Sequence, residues 1–140
     1  MTTPASFPSG MAAFRLDGRV VAITGGANGI GLAAARLFQE AGASVAILDR
    51  DAEAAQRAAA ALPSATAHEL DVTDEAAVEP AFAQVAQAHG RIDVFVNNAG
   101  LSIRKASDEL SLAEWHRVVA VNLTGAFLCA SAAVRHMPAQ

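Results

Sequence analysis

The stretch Val20-Val21-Ala22-Ile23-Thr24-Gly25-Gly26-Ala27-Asn28-Gly29-Ile30-Gly31 decides how this sequence folds. Its apolar residues 20–23 are typical of a strand that is covered on both faces, as in a parallel sheet. The glycines that follow permit positive φ angles and a close approach of the backbone to a ligand. A helical pattern begins at Gly29 and ends at Gly42. One face of this helix collects the apolar residues Ile30, Ala33, Ala34, Leu37, Phe38 and Ala41.

This strand, turn and helix predict either a phosphate site or a tight turn without a ligand. A glycine turn at a helix N-terminus brings free N–H groups and the positive end of the helix dipole to one point, which suits a pyrophosphate. The spacing Thr24-Gly25-x-x-x-Gly29-x-Gly31 differs from the common G-x-G-x-x-G fingerprint. It resembles the cofactor turn of the short-chain dehydrogenase/reductase family. The resemblance implies that the cofactor is contacted by Gly25, Asn28, Gly29, Ile30 and Gly31.

The composition indicates a globular protein and excludes several classes of function. The chain has 140 residues, 53% of them apolar, and a formal net charge of −4. Because it lacks a basic cluster and its four histidines lack metal-ligand spacing, we predict neither a nucleic-acid partner nor a metal site. The single cysteine, Cys129, fits a reducing compartment and a buried position. No signal peptide is recognisable, so the expected location is the cytoplasm.

Strand and helix patterns alternate along the chain. Apolar strand patterns lie at residues 20–24, 44–48, 66–70 and 92–96, and a helical pattern follows each of them. This alternation predicts an α/β fold with a Rossmann-like, doubly wound parallel sheet in the strand order 3-2-1-4. Ligands bind such sheets at the carboxyl ends of the strands. We expect residues 1–14 to form a flexible tail and residues 15–140 to form an incomplete dinucleotide-binding domain.

The last helix is predicted from Ser111 to about residue 137, with a bend at Gly125 as one alternative. It begins with the S-x-x-E pattern of a capping box, Ser111 to Glu114. Its uncharged span predicts a buried helix rather than a membrane span. Trp115 is interpreted as a core residue.

Two acidic residues follow predicted strands and are candidates for contacts to the adenosine part of a cofactor. Asp49 lies eighteen residues after Gly31, close to the ~20 expected for the carboxylate that binds the ribose. This carboxylate would repel a 2′-phosphate, which favours NAD over NADP, although Arg50 offers a charge that could accept the phosphate. Asp71-Val72 resembles the adenine contact of the family; the alternative is that Asp71 only stabilises its loop.

Two further motifs strengthen the resemblance. Small residues in Asn97-Asn98-Ala99-Gly100 let the backbone pass close to a ribose, and an Asn side chain can join neighbouring strand ends. The run Val121-Asn122 matches the helix asparagine of the family. The resemblance implies that Val121 lies at the cofactor and that Asn122 holds a water of the proton relay. The alternative for Asn122 is an amide that satisfies backbone groups at a helix bend.

The chain lacks the residues that perform the chemistry of this family. That chemistry uses a serine and a Tyr-x-x-x-Lys motif after the asparagine helix, but the sequence has no tyrosine, and its only lysine, Lys105, precedes Asn122. The resemblance covers residues 16–137, about the first half to three-fifths of a family member. We therefore predict a truncated NAD(P)-dependent oxidoreductase that is inactive alone. The alternative is a short protein that binds NAD or assembles with another chain without catalysis.

The resemblance also implies partners for the intact protein. These are a small alcohol or ketone substrate and further copies of the same chain in a dimer or tetramer, with no membrane. The identity of the substrate cannot be read from the sequence. Arg104 and Lys105 suggest an acidic substrate or, alternatively, a solvated pair of charges.

Overall fold

The structure is a computed structural model that describes residues 13–137, so residues 1–12 of the predicted tail lie outside the described residues. The described part contains four strands, five α-helices and one π-helical segment. In chain order they are β1 (Val20–Thr24), α1 (Gly29–Glu40), β2 (Ser44–Asp49), α2 (Ala52–Ala60), β3 (Ala65–Glu69), α3 (Glu75–His89), β4 (Val94–Val96), α4 (Leu112–Val119), the π-helical segment (Ala120–Gly125) and α5 (Ala126–His136).

The four strands form one parallel sheet in the order β3-β2-β1-β4, which confirms the predicted order. Strand β1 is buried along its whole length because it lies between β2 and β4. Its side chains alternate between two apolar cores. Ala22 packs on one face with residues of α3 and α5, such as Phe82 and Cys129. Val21 and Ile23 pack on the other face with residues of α1 and α2.

Side-chain caps and a left-handed glycine define several helix ends. The carboxylate of Asp51 accepts the N–H of Ala54 and caps α2. Asp74 accepts the N–H of Ala76 and caps α3, which ends at Gly90 in the left-handed conformation. Ser111 opens α4 with the predicted capping box. These caps satisfy backbone groups that the ends of helices leave unpaired.

Helix α1 differs from its predicted orientation. Ile30 is 83% exposed and Leu37 is 66% exposed, whereas Gly31 and Ala35 are buried against the sheet. The reason is steric, because a Cβ at Gly31 would lie 2.2 Å from the carbonyl oxygen of Gly25. The close approach of helix and turn requires the smallest residues at the contact, so Ile30 and Leu37 point outward, while Leu32 and Phe38 pack at the margin of the core.

The stretch Leu112–His136 is helical throughout. One alternative from the sequence was a bend at Gly125, and the π-helical segment of the structure ends at that residue. By length and composition it could cross a bilayer, since its most apolar window has a mean hydropathy of 1.6, but one such helix is weak evidence for a membrane span. Only 22% of that window is buried. The prediction of a buried helix is therefore correct for a small part of this stretch and wrong for most of it. The prediction that Trp115 is a core residue is wrong, because it is 54% exposed.

Strand β4 is shorter than predicted and its residues Val94–Val96 are half-buried. Asp93, which falls inside the predicted strand, precedes it and accepts the N–H of Val20 and the guanidinium groups of Arg19 and Arg91. Within the described range, β4 pairs on one side only, with β1. Its other edge is open among these residues.

Candidate functional site

The glycine turn between β1 and α1 has the geometry of an anion site. Gly25 and Gly29 have φ angles of 63° and 53°, which disfavour any other residue. A Cβ at Gly25 would also lie 3.0 Å from the Cα of Ala99. Asn28 precedes α1 with an extended backbone, and its side chain makes no capping hydrogen bond. The first N–H groups of α1 therefore have no side-chain cap and are available to a negatively charged ligand.

The side chain of Asn98 joins the carboxyl ends of β1 and β4. Its amide nitrogen donates hydrogen bonds of 3.0 Å to the carbonyl oxygens of Thr24 and Gly25. In return, the hydroxyl oxygen of Thr24 accepts the backbone N–H groups of Asn98 and Ala99 at 3.2 Å. This network holds the glycine turn and Ala99 side by side. It is the joining role that the sequence suggested for an asparagine at this position.

Asp49 lies at the carboxyl end of β2 and is oriented by two backbone groups. Its Oδ2 accepts the N–H of Ala27 at 3.1 Å, and its Oδ1 accepts the N–H of Asp51 at 3.1 Å. The first bond connects the carboxylate directly to the glycine turn. Since each carboxylate oxygen can accept more than one hydrogen bond, Asp49 retains acceptor capacity toward a ligand.

Asp71 stabilises its own loop after β3. Its Oδ1 accepts the hydroxyl and the N–H of Thr73 at 2.7 and 2.9 Å, and these bonds, helped by the charge of Arg50, lower the pKa of Asp71. The loop-stabilising alternative is thus present, while a contact of Asp71 with adenine stays a prediction. Val72 is buried and packs closely against Gly125 of the π-helical segment. The contact is so close that a Cβ at Gly125 would lie 2.8 Å from Cγ2 of Val72.

These loops enclose an open cleft of about 410 Å³ at the carboxyl ends of the strands. The predicted site residues that line it are Gly25, Asn28, Asp49, Arg50, Asp71, Val72, Ala99, Gly100 and Val121. Predicted residues that do not line it are Gly29, Ile30, Gly31, Asn98 and Asn122. Residues that the sequence analysis missed are Asp51, Leu70 and Leu101. Each of the missed residues is the sequence neighbour of a predicted one, and this adjacency was the one feature of the sequence that could have indicated them.

The chemistry of the cleft suits the adenosine and pyrophosphate part of a dinucleotide. Gly25 presents backbone without a side chain, and Asp49 offers carboxylate oxygens of the kind that accept from a ribose hydroxyl.

Comparison with known proteins identifies the family. A family model described as short chain dehydrogenase matches residues 19–140, nearly the whole described chain. The chain belongs to the short-chain dehydrogenase family. The chain is 42% identical to meso-2,3-butanediol dehydrogenase of Serratia marcescens over 125 residues, which are 88% of this chain and 50% of that protein. It is 46% identical to cis-4-hydroxycyclohexanecarboxylate dehydrogenase of Sinomonas cyclohexanicum, with 86% of this chain and 50% of that protein covered.

A solved structure agrees. The crystal structure of 3-ketoacyl-(acyl-carrier-protein) reductase from Brucella melitensis, complexed with NADH, superposes with a TM-score of 0.83 at 34% identity, over 86% of this chain and 50% of that one. The chain therefore spans about half the length of the short-chain dehydrogenases that it matches.

In this short-chain dehydrogenase chain, Asn122 connects the π-helical segment to the loop after β4. Its Oδ1 accepts the N–H of Leu101 at 2.8 Å, and its Nδ2 donates to the carbonyl oxygen of Leu101 at 2.9 Å. The amide thus satisfies backbone groups, which was the alternative interpretation. The predicted role in holding a relay water stays a prediction.

The loop after Leu101 is tied to α4 by charge. Lys105 forms an ion pair with Glu114, the same residue that completes the capping box with Ser111. Lys105 and Ser111 together lower the pKa of Glu114 to about 2. The charge of Lys105 is thereby compensated within the chain, which weakens the idea that it attracts an acidic substrate.

Proposed function

We propose that this chain is the cofactor-binding part of an NAD(P)-dependent oxidoreductase that transfers a hydride between a nicotinamide and an alcohol or ketone. The observation that carries the proposal is the convergence of the glycine turn, Asp49, the Asp71-Val72 loop and the Ala99-Gly100 loop on one cleft. Relatives named as dehydrogenases of a diol and of a hydroxy acid support the same reaction class. A nicotinamide cofactor accepts or supplies the hydride in such reactions.

The residues of this chain would bind and orient the cofactor. The N-terminus of α1 and the backbone of Gly25 to Gly31 would hold the pyrophosphate. Asp49 would accept hydrogen bonds from the adenosine ribose, and the side of the cleft formed by Asp71 and Val72 would receive the adenine. Asn122 would act as a positioning residue, because it fixes the backbone of Leu101 beside the cleft.

We propose NAD as the preferred cofactor. The carboxylate of Asp49 is fixed by two N–H groups and would face a 2′-phosphate, so NADP binding brings two negative charges together. Arg50, which also lines the cleft, is the residue that opposes this preference. The bound NADH in the Brucella relative supports the choice.

We further propose that the 140-residue chain does not turn over by itself. With no tyrosine in the sequence, it lacks the family's general acid/base, and its lysine is paired with Glu114. The open edge of β4 and the uncovered helix Leu112–His136 are where the other half of such a domain would pack.

For the whole protein we propose a small alcohol or ketone substrate, a homo-oligomer and a cytoplasmic location. A non-catalytic NAD-binding module is the second candidate, favoured by a cleft whose lining residues include no tyrosine.

The cofactor preference is tested by Asp49→Asn, which removes the charge and keeps one acceptor oxygen, enough for the N–H of Ala27 or of Asp51 but not for both. We expect the ratio of the NADP and NAD dissociation constants to fall by about tenfold, measured by calorimetric titration of both cofactors. The matched control is Asp108→Asn, an exposed carboxylate outside the cleft, which should leave the ratio unchanged. An Asp49→Asn protein with the wild-type ratio would show that Asp49 does not face the ribose.

A further inference from the structure

A second cluster of titratable groups lies away from the cleft, between strand β3 and helix α3. The hydroxyl oxygen of Thr66 lies 2.8 Å from Nε2 of His68 and 2.8 Å from Nε2 of His89. Thr66 and His68 belong to β3, whereas His89 ends α3. Two imidazole nitrogens from different elements therefore share one oxygen and lie within two hydrogen-bond lengths of each other.

The arrangement requires at least one of the two histidines to be neutral. When both rings are neutral, the hydroxyl donates to one Nε2 and accepts the N–H of the other, so all three groups are satisfied. A first proton on the donor ring leaves these bonds intact. A second proton occupies the nitrogen that accepts from Thr66 and places two cations on the same oxygen. The hydroxyl then loses its acceptor, and the two charges repel each other in a partly buried place.

The surroundings favour the neutral rings. His68 is 9% exposed, and burial lowers its pKa below the ordinary value of 6.5, an effect that Gln84 opposes and the charge of His89 reinforces. Burial also lowers the pKa of His89. The neighbour of His68 on β2 is Leu48, which is apolar.

Charged groups on the surrounding elements do not compensate a second proton. On β3 the other charged residue is Glu69, which is exposed and pairs in register with Asp49 on β2. On α2, Glu53 and Arg57 pair with each other. On α3, Glu75 lies in the first turn, and Glu79 is bonded to Arg135 and His136 of α5. Among the described residues, none of these carboxylates or cations shifts the pKa of His68 or His89.

We propose that Thr66, His68 and His89 form an acid-sensitive latch that fastens helix α3 to strand β3. The latch is closed at neutral pH and opens when both histidines are protonated. Its opening loosens the segment that leads from β3 through Leu70 to the Asp71-Val72 side of the cleft. The stability effect is independent of the proposed function, because it concerns packing and not the cofactor.

The direction of the pH effect follows from the two lowered pKa values. The unfolded chain takes up protons on these histidines before the folded chain does. The free energy of unfolding is therefore highest above the ordinary pKa of 6.5 and falls as the pH drops below it. The ordinary values of the carboxylates lie at or below 4.5, so their own contribution is lost at lower pH, outside this window.

The experiment compares urea unfolding of the 140-residue chain at about pH 7.5 and about pH 5.5. For the wild type we expect a lower urea midpoint at acid pH. For His89→Gln, which keeps a polar group for Thr66 and removes one charge, we expect about half of that drop or less. The matched control is His116→Gln, on the exposed side of α4, which should retain the full drop. Equal drops in His89→Gln and His116→Gln would overturn the proposal.

A second measurement needs no variant that disturbs the fold. The proton resonances of the four imidazole rings are followed by NMR between about pH 5 and about pH 8 in the wild-type chain. The latch requires at least one of the two rings, the one that accepts from Thr66, to titrate below 6.5. Titration of both rings at or above that value would overturn the proposal even if a variant failed to fold.

Discussion

At the scale of single residues, Gly31 fixes the distance between α1 and the glycine turn. A Cβ there would lie 2.2 Å from the carbonyl oxygen of Gly25 and 2.6 Å from Nδ2 of Asn98. Both neighbours are held by the network around Thr24, so neither can move without loss of a hydrogen bond. We expect Gly31→Ala to lower the free energy of unfolding by about 1–3 kcal/mol, measured by urea denaturation.

The matched control for this prediction is Gly100→Ala. The nearest atom to a Cβ at Gly100 is Oδ1 of Asn122 at 3.6 Å, an ordinary contact distance, and Gly100 has no positive φ angle. Its effect should stay within about 0.5 kcal/mol. If both substitutions cost the same, the close contact at Gly31 does not limit stability.

At the scale of elements, Asn122 is the connection between the π-helical segment and the loop after β4. Asn122→Ala removes two hydrogen bonds to Leu101, one to its N–H and one to its carbonyl oxygen. We expect hydrogen exchange of the Leu101 amide to accelerate by about fivefold, because an opening costs about 1 kcal/mol less. Thr124→Ala, at an exposed position of the same segment, is the control. Unchanged exchange at Leu101 in Asn122→Ala would show that the amide does not hold the loop.

Sequence patterns predicted the strands and helices better than they predicted contacts between distant residues. Strand–helix alternation and capping residues such as Asp51 and Ser111 are local signals, so the strand order and most helix ends could be predicted. The outward position of Ile30 could not, because it depends on the close contact between Gly31 and the turn. The hydrogen bond from the N–H of Ala27 to Asp49 is likewise tertiary. It follows from the neighbouring positions of β1 and β2, which place residues distant in sequence at one edge.

The cluster between β3 and α3 was missed for the same reason. His68 and His89 are far apart in sequence and lack metal-ligand spacing, so their pattern carries no signal. Thr66 brings them together only after α3 has packed on β3.

At the scale of the whole molecule, one side presents an uncovered apolar surface. Leu123, Phe127 and Val134 are each 67% exposed along the helix Leu112–His136. Exposed apolar surface of this kind favours association in water. We expect Phe127→Ser to raise the monomer fraction in sedimentation velocity at a fixed protein concentration. Phe14→Ser, at a residue that is 72% exposed, is the matched control. Equal changes in the two variants would show that the helix face does not drive association.

The central claim is that this chain holds the cofactor side of a short-chain dehydrogenase. The most direct test follows the backbone amides of the 140-residue chain by NMR during a titration with NAD. If the chain binds NAD in the cleft, the chemical-shift changes will be concentrated at residues 25–31, 49–51, 70–72 and 99–101. These residues form the loops that meet at the carboxyl ends of the strands. A titration that leaves those amides unchanged, or that moves amides elsewhere, would contradict the claim.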